Sequence, residues 1–456
     1  MTTDRTLLPF LLLADCLLVI LIFNLVGHFR SVDEHLIIWP LSVPFGVMAL
    51  ALYLIDGYRV RTDFIGVDYT SLHIIAGLAA TIGVLLLTFV FIPPGYELQS
   101  SRGVIAASFL LIIPSTLGLR RLIYLQNLAS RSEQNLVFVG EPANCAAFAA
   151  ECQKMKINRP VIFAVPADDL NRAQTLLTGL TVRALPEFLA ELELGRPAVE
   201  AIVLRESNLI LPPEAAQQLL RLYFRGIPTY PLELFHEIYW RKIPLYRLNP
   251  TWLFQEGFAV AREPLYMRLK RLSDLALSSL GSVLFLPLVA VAAIAIWLDD
   301  RGPVFFRQTR IGRHGVPFRL FKLRTMRVGG DAGDPYTQAS DVRITRVGRL
   351  LRTTRLDEVP QLWNVFRGEM SLIGPRAEWD RLVLDYERQI PCYYYRHLVK
   401  PGITGWAQVN YLYGAGLDDN LRKLEYDLYY IRHFSFLLDA SIVLKTIHIM
   451  LFGRGR

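Results

Sequence analysis

The chain has 456 residues, of which 52% are hydrophobic and 20% are charged. Soluble globular proteins are about 45–50% apolar and about 25% charged, so the apolar excess is too small for a chain made only of membrane helices. A chain that is part membrane protein and part soluble fits these numbers. The net charge of +8 favours anionic lipid headgroups or phosphate-bearing substrates over nucleic acid, which rarely needs so much apolar sequence.

Four cysteines are present, and none has the spacing of a metal site. We interpret them as free thiols in a reducing compartment.

The first third of the chain contains four apolar runs of about 20 residues, the length that crosses a hydrocarbon core of about 30 Å. These runs predict a transmembrane four-helix bundle over residues 1–130. They are Leu7–Val26, Leu36–Ile55, Leu72–Ile92 and Gly103–Leu119.

Arginines concentrate in the second loop and after the fourth run, which places both in the cytoplasm by the positive-inside rule. They are Arg59, Arg61, Arg120, Arg121 and Arg131. Asp15 and Asn24 lie within the first run. For these two we favour helix–helix hydrogen bonding or an interfacial position over a role in transport.

Residues 131–262 contain short apolar runs that alternate with helix-like stretches, a pattern that predicts a parallel sheet covered on both faces. The first strand ends at Gly140, where a dinucleotide-binding fold carries three glycines. Only one glycine is present, and Pro142 lacks an amide that could bind phosphate. We therefore expect a degenerate Rossmann-like domain without a nucleotide site.

A fifth apolar run, Leu275–Leu298, has Pro287 near its middle and basic residues on both flanks. A spanning helix would export one basic flank, against the positive-inside rule. We predict a re-entrant membrane helix over about 272–299 that breaks between Ser282 and Pro287. Serines such as Ser278, Ser279 or Ser282 would satisfy the freed carbonyl groups. The alternative is an ordinary proline-kinked span.

Two adjacent carboxylates, Asp357 and Glu358, precede Pro360. Because proline is tolerated in the first turn of a helix, we expect a helix to begin near Val359. The helix N-terminus would then depress the carboxylate pKa and keep the group ionised at neutral pH. One carboxylate can attack phosphorus while the other holds a cation. Plain N-capping by Asp357 is the alternative.

Basic residues cluster along the same stretch of sequence, and such a density is self-repulsive unless a strongly anionic group binds. Arginine matches phosphate oxygens in two-point contacts. A basic cleft, the two carboxylates and the membrane-dipped helix together predict phosphoryl transfer to a lipid phosphate. The candidate phosphate-binding residues of the cleft are Lys322, Arg324, Arg352, Arg355 and Arg376.

Five stretches carry a close resemblance to the bacterial polyprenyl-phosphate phosphosugar transferases, the monotopic phosphoglycosyl transferases. The resemblance covers about 265–456. One departure is Ala377, where the family usually has proline. The whole chain resembles the long form of the family, a membrane protein of the α + α/β class with a mostly helical catalytic domain over 263–456. The stretches are 302–312, 318–326, 350–365, 368–376 and 400–409.

The resemblance implies transfer of a sugar 1-phosphate from a nucleotide-diphosphate sugar, by default a UDP-hexose, to undecaprenyl phosphate. It makes Asp357 the nucleophile of a covalent phosphosugar-aspartyl intermediate and implies Mg²⁺ held by Glu358 and Asp357. Thr404 and Trp406 belong to a loop that either contacts the nucleotide or lipid or is a structural turn with a packed tryptophan.

The implied product starts an exopolysaccharide, capsule or O-antigen repeat at the cytoplasmic face of the bacterial inner membrane. The implied partners are the nucleotide sugar, the polyprenyl phosphate and the bilayer. Homodimerisation and regulation are two roles considered for the bundle and the Rossmann-like domain. Two other functions stay open: a glycosyltransferase that releases UDP, and a catalytically dead scaffold of polysaccharide assembly.

Overall fold

The computed structural model describes residues 4–29, 38–59, 62–91, 102–132, 134–155, 157, 159–205, 212–245, 264–329, 343–411 and 416–452. The chain divides into two compact units, Met1–Leu232 and Glu233–Arg456.

Apolar helices form the beginning of the first unit, as predicted. They are α1 (Asp4–Phe29), α2 (Ser42–Leu54), α3 (Val67–Phe91) and α4 (Arg102–Ser132). By length and composition α1, α3 and α4 can cross a membrane. The second helix is shorter than predicted, with 13 residues or about 20 Å at 1.5 Å per residue. Pro44 stands in its first turn, where its missing N–H costs no helical hydrogen bond.

A buried ion pair joins the first and last helices of the bundle. Arg120 Nη1 and Nη2 lie 2.9 and 2.7 Å from Asp15 Oδ1 and Oδ2. The Tyr58 hydroxyl donates to Asp15 Oδ2 at 2.8 Å. Asp15 therefore makes the helix–helix contact that we favoured, whereas Asn24 Nδ2 donates within its own helix to the Ile20 carbonyl at 2.7 Å.

A five-stranded sheet follows the bundle, in the order β3-β2-β1-β4-β5, and all four strand pairs are parallel. This is the predicted parallel sheet, with the strand order of a Rossmann fold. Its strands are β1 (Asn135–Val139), β2 (Val161–Val165), β3 (Thr181–Ala184), β4 (Val199–Leu204) and β5 (Thr229–Pro231). Its helices are α5 (Pro142–Lys154), α6 (Leu170–Leu176), α7 (Leu185–Glu193) and α8 (Pro213–Phe224).

The order of the strands reverses at β1: β2 and β3 follow on one side of it, and β4 and β5 lie on the other. In such folds ligands bind at this point, between β1 and β4. At this edge Arg205 Nη1 lies 3.0 Å from Glu141 Oε2. An ion pair therefore lies at the point where a nucleotide would bind.

The second unit begins at the second residue of α9 (Leu232–Phe235), which continues as a π-helix over His236–Trp240. The rest combines helices with two small sheets. The elements are α10 (Pro264–Asp300), β6 (Phe305–Ile311), β7 (Pro317–Leu323), α11 (Arg346–Thr354), α12 (Gln361–Arg367), β8 (Ser371–Ile373), α13 (Asp380–Gln389), β9 (Gly402–Thr404), α14 (Trp406–Asn410), α15 (Leu417–Arg432) and α16 (Phe436–Phe452).

The long helix α10 carries the fifth apolar run, and it is helical throughout, including the stretch from Ser282 to Pro287. The break in helical structure that we expected there is therefore not present. The hydroxyls of Ser278 and Ser279 donate to the Leu275 carbonyl at 3.3 and 2.7 Å. Pro287 lacks the N–H that would bond the carbonyl of Val283, four residues earlier. Ser278 and Ser279 bond a different carbonyl, that of Leu275, so these two serines do not have the predicted role.

Candidate active site

The antiparallel hairpin of β6 and β7 carries Lys322, which pairs with Phe306 across the strands. The Lys322 ammonium lies 4.6 Å from the Phe306 ring centroid. Asn364 of α12 holds strand β7 of the hairpin through its side-chain amide. Its Oδ1 accepts from the Phe321 N–H at 3.0 Å and its Nδ2 donates to the Arg319 carbonyl at 2.7 Å. Asn364 is fully buried.

Asp357 and Glu358 lie in a short 3₁₀ turn, Leu356–Glu358, between α11 and α12. The turn follows Arg355, which ends α11 in the left-handed conformation with φ of 58°. Helix α12 begins at Gln361, two residues after the predicted start, and Pro360 caps it. The two carboxylates therefore precede the helix, as the sequence predicts, but they belong to a separate turn.

Asp357 is only 8% exposed, and its pKa moves in the direction opposite to our expectation. Burial, and then the neighbouring charge of Glu358, raise the pKa of Asp357 from 3.8 to about 6. The nearby charges of Lys322, Arg352 and Arg355 lower it in part. The expected depression by the helix N-terminus is therefore wrong, because desolvation outweighs it.

Glu358 lies between two arginines. Its Oε1 is 3.6 Å from Arg355 Nη1 and 3.6 Å from Arg376 Nη1. Both arginine side chains are about half exposed, at 46% and 47%. They are therefore paired to Glu358 and still open to an incoming anion.

The surroundings of Lys322 lower its pKa, so that they favour its neutral form. Burial lowers the pKa of Lys322 to about 8, and the charges of Arg310 and Arg352 act in the same direction. Arg352 Nε donates to Thr325 Oγ1 at 2.8 Å, which holds the end of α11 against the segment after β7. Lys322, Arg352, Arg355 and Arg376 thus surround the two carboxylates.

Arg324 is not part of this group. It is buried and forms an ion pair with Asp300, at the end of α10. Its sequence neighbourhood predicts a phosphate-binding residue. Asp300 pairs with its Nη2, while its buried Nε and Nη1 have no hydrogen-bond partner among the described residues. Its observed contact fixes the end of the long helix.

Thr404 and Trp406 have structural contacts. Thr404 Oγ1 lies 2.7 Å from Thr446 Oγ1. Trp406 is 1% exposed and its Nε1 donates to the Arg241 carbonyl at 2.9 Å. A side chain so buried cannot stack on a nucleotide or lipid, so the alternative of a structural turn with a packed tryptophan describes it. Ser282 and Pro287 are exposed on α10.

Comparison with known proteins adds to this geometry. The profile of the family described as bacterial sugar transferase matches residues 265–453. A UDP-glucose:undecaprenyl-phosphate glucose-1-phosphate transferase of Caulobacter vibrioides is 44% identical over 181 residues, 39% of this chain and 68% of the relative. The chain belongs to the bacterial sugar transferase family. The resemblance to the polyprenyl-phosphate phosphosugar transferases is thereby confirmed.

Two further relatives of this family extend the comparison. A UDP-N-acetylgalactosamine-undecaprenyl-phosphate N-acetylgalactosaminephosphotransferase of Aeromonas hydrophila is 39% identical over 264 residues, 58% of this chain and 62% of the relative. A UDP-glucose:undecaprenyl-phosphate glucose-1-phosphate transferase of Xanthomonas campestris pv. campestris is 43% identical over 191 residues, 41% of this chain and 40% of the relative. The chain thus spans less than two thirds of the length of these two relatives.

Three residues of the site were not singled out from the family-like stretches. The charge of Arg310 lowers the pKa of Lys322. Burial lowers the pKa of Arg310 itself to about 10. Its Nη1 lies 3.8 Å from Glu378 Oε2. Asn364 joins α12 to β7 as described above. Arg310 and Asn364 lie inside the quoted stretches, and Glu378 lies two residues after one, so their position in or beside these stretches was the available signal.

Proposed function

We propose that the protein transfers a sugar 1-phosphate from a UDP-sugar to undecaprenyl phosphate. The observation that carries the proposal is the environment of Asp357. Its Oδ1 is buried and has no hydrogen-bond partner among the described residues, although the charges of Lys322, Arg352 and Arg355 act on the same side chain. A carboxylate oxygen left without a donor in a cationic setting is suited to attack an electrophile. The names of the relatives supply the substrates.

The proposed chemistry has two steps. A carboxylate oxygen of Asp357 attacks the β-phosphorus of the UDP-sugar, and the bond from that phosphorus to the bridging oxygen breaks, so that UMP leaves with the bridging oxygen. An oxygen of undecaprenyl phosphate then attacks the same phosphorus and releases Asp357. Arg355 and Arg376 are placed to bind phosphate oxygens two at a time, and Lys322 stabilises the negative charge that develops on UMP.

Mg²⁺ fits the two carboxylates. Magnesium is usually bound through one or two carboxylates together with substrate phosphates. Among the described residues no three His, Cys, Asp or Glu side chains form a metal cluster, so the diphosphate would complete the coordination. Asp357, with its orphaned oxygen, and Glu358 would hold the ion. When bound, it would neutralise charge on the diphosphate.

We also propose that α10 enters the membrane, bends at Pro287 without an interruption of its helical structure, and returns to the cytoplasmic side. Arg271, before Pro287, donates to the carbonyls of Val365 and Phe366 at 2.5 and 2.7 Å. Ala292 and Ile296, after Pro287, pack in one cluster with Leu323 and Leu351. Both ends of the apolar run thus contact the same folded unit. This supports placing both ends on one side of the bilayer.

Cysteine labelling in cells tests this topology. We expect cysteines introduced at positions 265 and 301 to react only after the cytoplasmic membrane is made permeable. Labelling of position 301 in intact spheroplasts, with position 265 protected, would show an ordinary span.

The decisive experiment on activity uses the purified full chain, undecaprenyl phosphate and a panel of UDP-hexoses and UDP-N-acetylhexosamines. We expect release of UMP with at least one donor. Release of UDP would indicate the glycosyltransferase alternative. The scaffold alternative predicts that Asp357→Ala restores polymer in a deletion strain.

The covalent step has its own test. With donor labelled at the β-phosphate and no lipid acceptor, label should remain on the denatured protein. Asp357→Asn should retain none. Normal turnover by that variant would exclude Asp357 as the nucleophile.

A further inference from the structure

The segment Glu233–Leu245 precedes the family-matched region, which begins at residue 265, but it belongs to the second compact unit. Ile243 and Leu245 are buried in the same hydrophobic cluster as Trp406. The Ile243 N–H donates to the Glu425 carbonyl at 3.0 Å. The segment therefore completes the core of this unit.

Charged contacts make this docking specific. Lys242 Nζ lies 3.3 Å from Glu425 Oε2, and both side chains are buried. Glu237 Oε1 is 2.9 Å from Arg432 Nε and 2.6 Å from His433 Nε2. Removing one partner of a buried pair leaves a desolvated charge, so the segment cannot be displaced without a large cost.

Hydrogen bonds connect this segment to the active site. The Arg241 carbonyl accepts from Trp406 Nε1, and Trp406 follows strand β9, which pairs with β8. The Gly402 N–H donates to the Pro375 carbonyl at 2.9 Å, and the Gly374 N–H donates to the Thr404 carbonyl at 2.9 Å. Pro375 is followed in sequence by Arg376, whose Nη1 lies 3.6 Å from Glu358 Oε1.

We propose that the segment 233–245 is a positioning element for Arg376, acting through Trp406 and the β8–β9 pair. The proposal rests on the proposed function, in which Arg376 binds a phosphate of the donor. Since the segment follows β5 of the Rossmann-like domain directly in sequence, it also makes the donor site depend on residues outside the family-matched region.

The test uses the full-length chain with Lys242→Met or Trp406→Phe. The first removes the buried one of the two cations paired with Glu425, the other being Arg422, and the second removes the Nε1 donor but keeps a ring. We expect KM for the UDP-sugar to rise at least threefold while kcat, corrected for folded protein, stays within twofold. Lys242→Met with Glu425→Gln should recover most of the loss, because the buried Glu425 then no longer carries a charge that has only Arg422 to balance it.

The matched control is Arg221→Met, which removes an ion pair with Glu193, 2.8 Å away in the Rossmann-like domain. It should leave KM unchanged. A fall in folded protein with no change in KM for the two test variants would show a purely structural role and overturn the proposal.

Hydrogen exchange gives a reading that does not depend on activity. In Lys242→Met, the amides of Gly374, Arg376 and residues 402–406 should exchange faster than in the wild type, whereas α11 should be unaffected. If the wild type releases UMP from no donor, the proposed function fails on its own. Unchanged exchange at residues 374–376 would then overturn the positioning role separately.

Discussion

Asp357→Asn should stabilise the second unit at neutral pH while abolishing turnover. The pKa of Asp357 is raised from 3.8 to about 6, mainly by burial. Each pKa unit is worth about 1.4 kcal/mol, so keeping this carboxylate ionised costs the folded state about 3 kcal/mol. Asparagine has nearly the same shape and carries no charge. Its amide also needs partners, so about 3 kcal/mol is the upper bound of the gain.

The sign of the pH dependence follows from the raised pKa. Above pH 6 the buried charge lowers the free energy of unfolding of the wild type by the full amount of about 3 kcal/mol, because Asp357 is ionised in the folded and unfolded states. Below pH 3.8 it is protonated in both, and the cost disappears. The advantage of the variant should therefore be largest at pH 7–8 and fall to roughly half at pH 5.

Tryptophan fluorescence during thermal unfolding is the suitable assay, since six of the seven tryptophans follow residue 232. For a unit of this size we expect Tm to rise by about 3–10 °C at pH 8. The full chain should be measured in detergent with EDTA and without nucleotide, because a bound cation would offset the cost of the charge.

Asp385→Asn is the matched control, since Asp385 is exposed on α13. It should change neither Tm nor UMP release. The reasoning is refuted if Asp357→Asn is less stable than the wild type at pH 8, or if its stability difference is the same at pH 8 and pH 5.

Three further predictions test other parts of the molecule. UMP release should fall below about pH 6 as Asp357 is protonated and above about pH 8 as Lys322 loses its proton; Lys322→Arg should keep the rate high at pH 9. Arg324→Met should lower the stability of the second unit by about 3–5 kcal/mol, read by tryptophan fluorescence, and leave KM of the folded enzyme unchanged. Asp15→Asn should leave Arg120 buried without its carboxylate and make the first 132 residues more sensitive to protease in detergent, with KM unaffected.

The broad architecture could be predicted because it depends on patterns local in sequence. Apolar runs of membrane length and short apolar strands between helices led to the N-terminal helices and the parallel sheet. The start of α12 was predicted within two residues because Pro360 restricts it. The domain boundaries at 130 and 262 and the site residues stay predictions.

Contacts between residues far apart in the chain, and the burial that they produce, could not be predicted from the sequence. Arg324 is a predicted phosphate ligand, and its ion pair with Asp300, 24 residues earlier, could not be foreseen from its own stretch of sequence. Trp406 resembles a substrate contact until the Arg241 carbonyl, 165 residues earlier, accepts its N–H. The pKa of Asp357 was assigned from a helix end, a local feature, whereas burial by the surrounding fold determines its direction.

The raised pKa of Asp357 suits a carboxylate nucleophile. A carboxylate with the ordinary pKa of 3.8 is fully ionised at pH 7 but is a weak base, and nucleophilic strength rises with basicity. With a pKa of about 6, about nine in ten molecules are still ionised at pH 7. The same side chain would therefore be more reactive with almost no loss of its active form. Burial supplies the increase, and the cations around it limit the increase, so that the group does not become protonated at the pH where it must act.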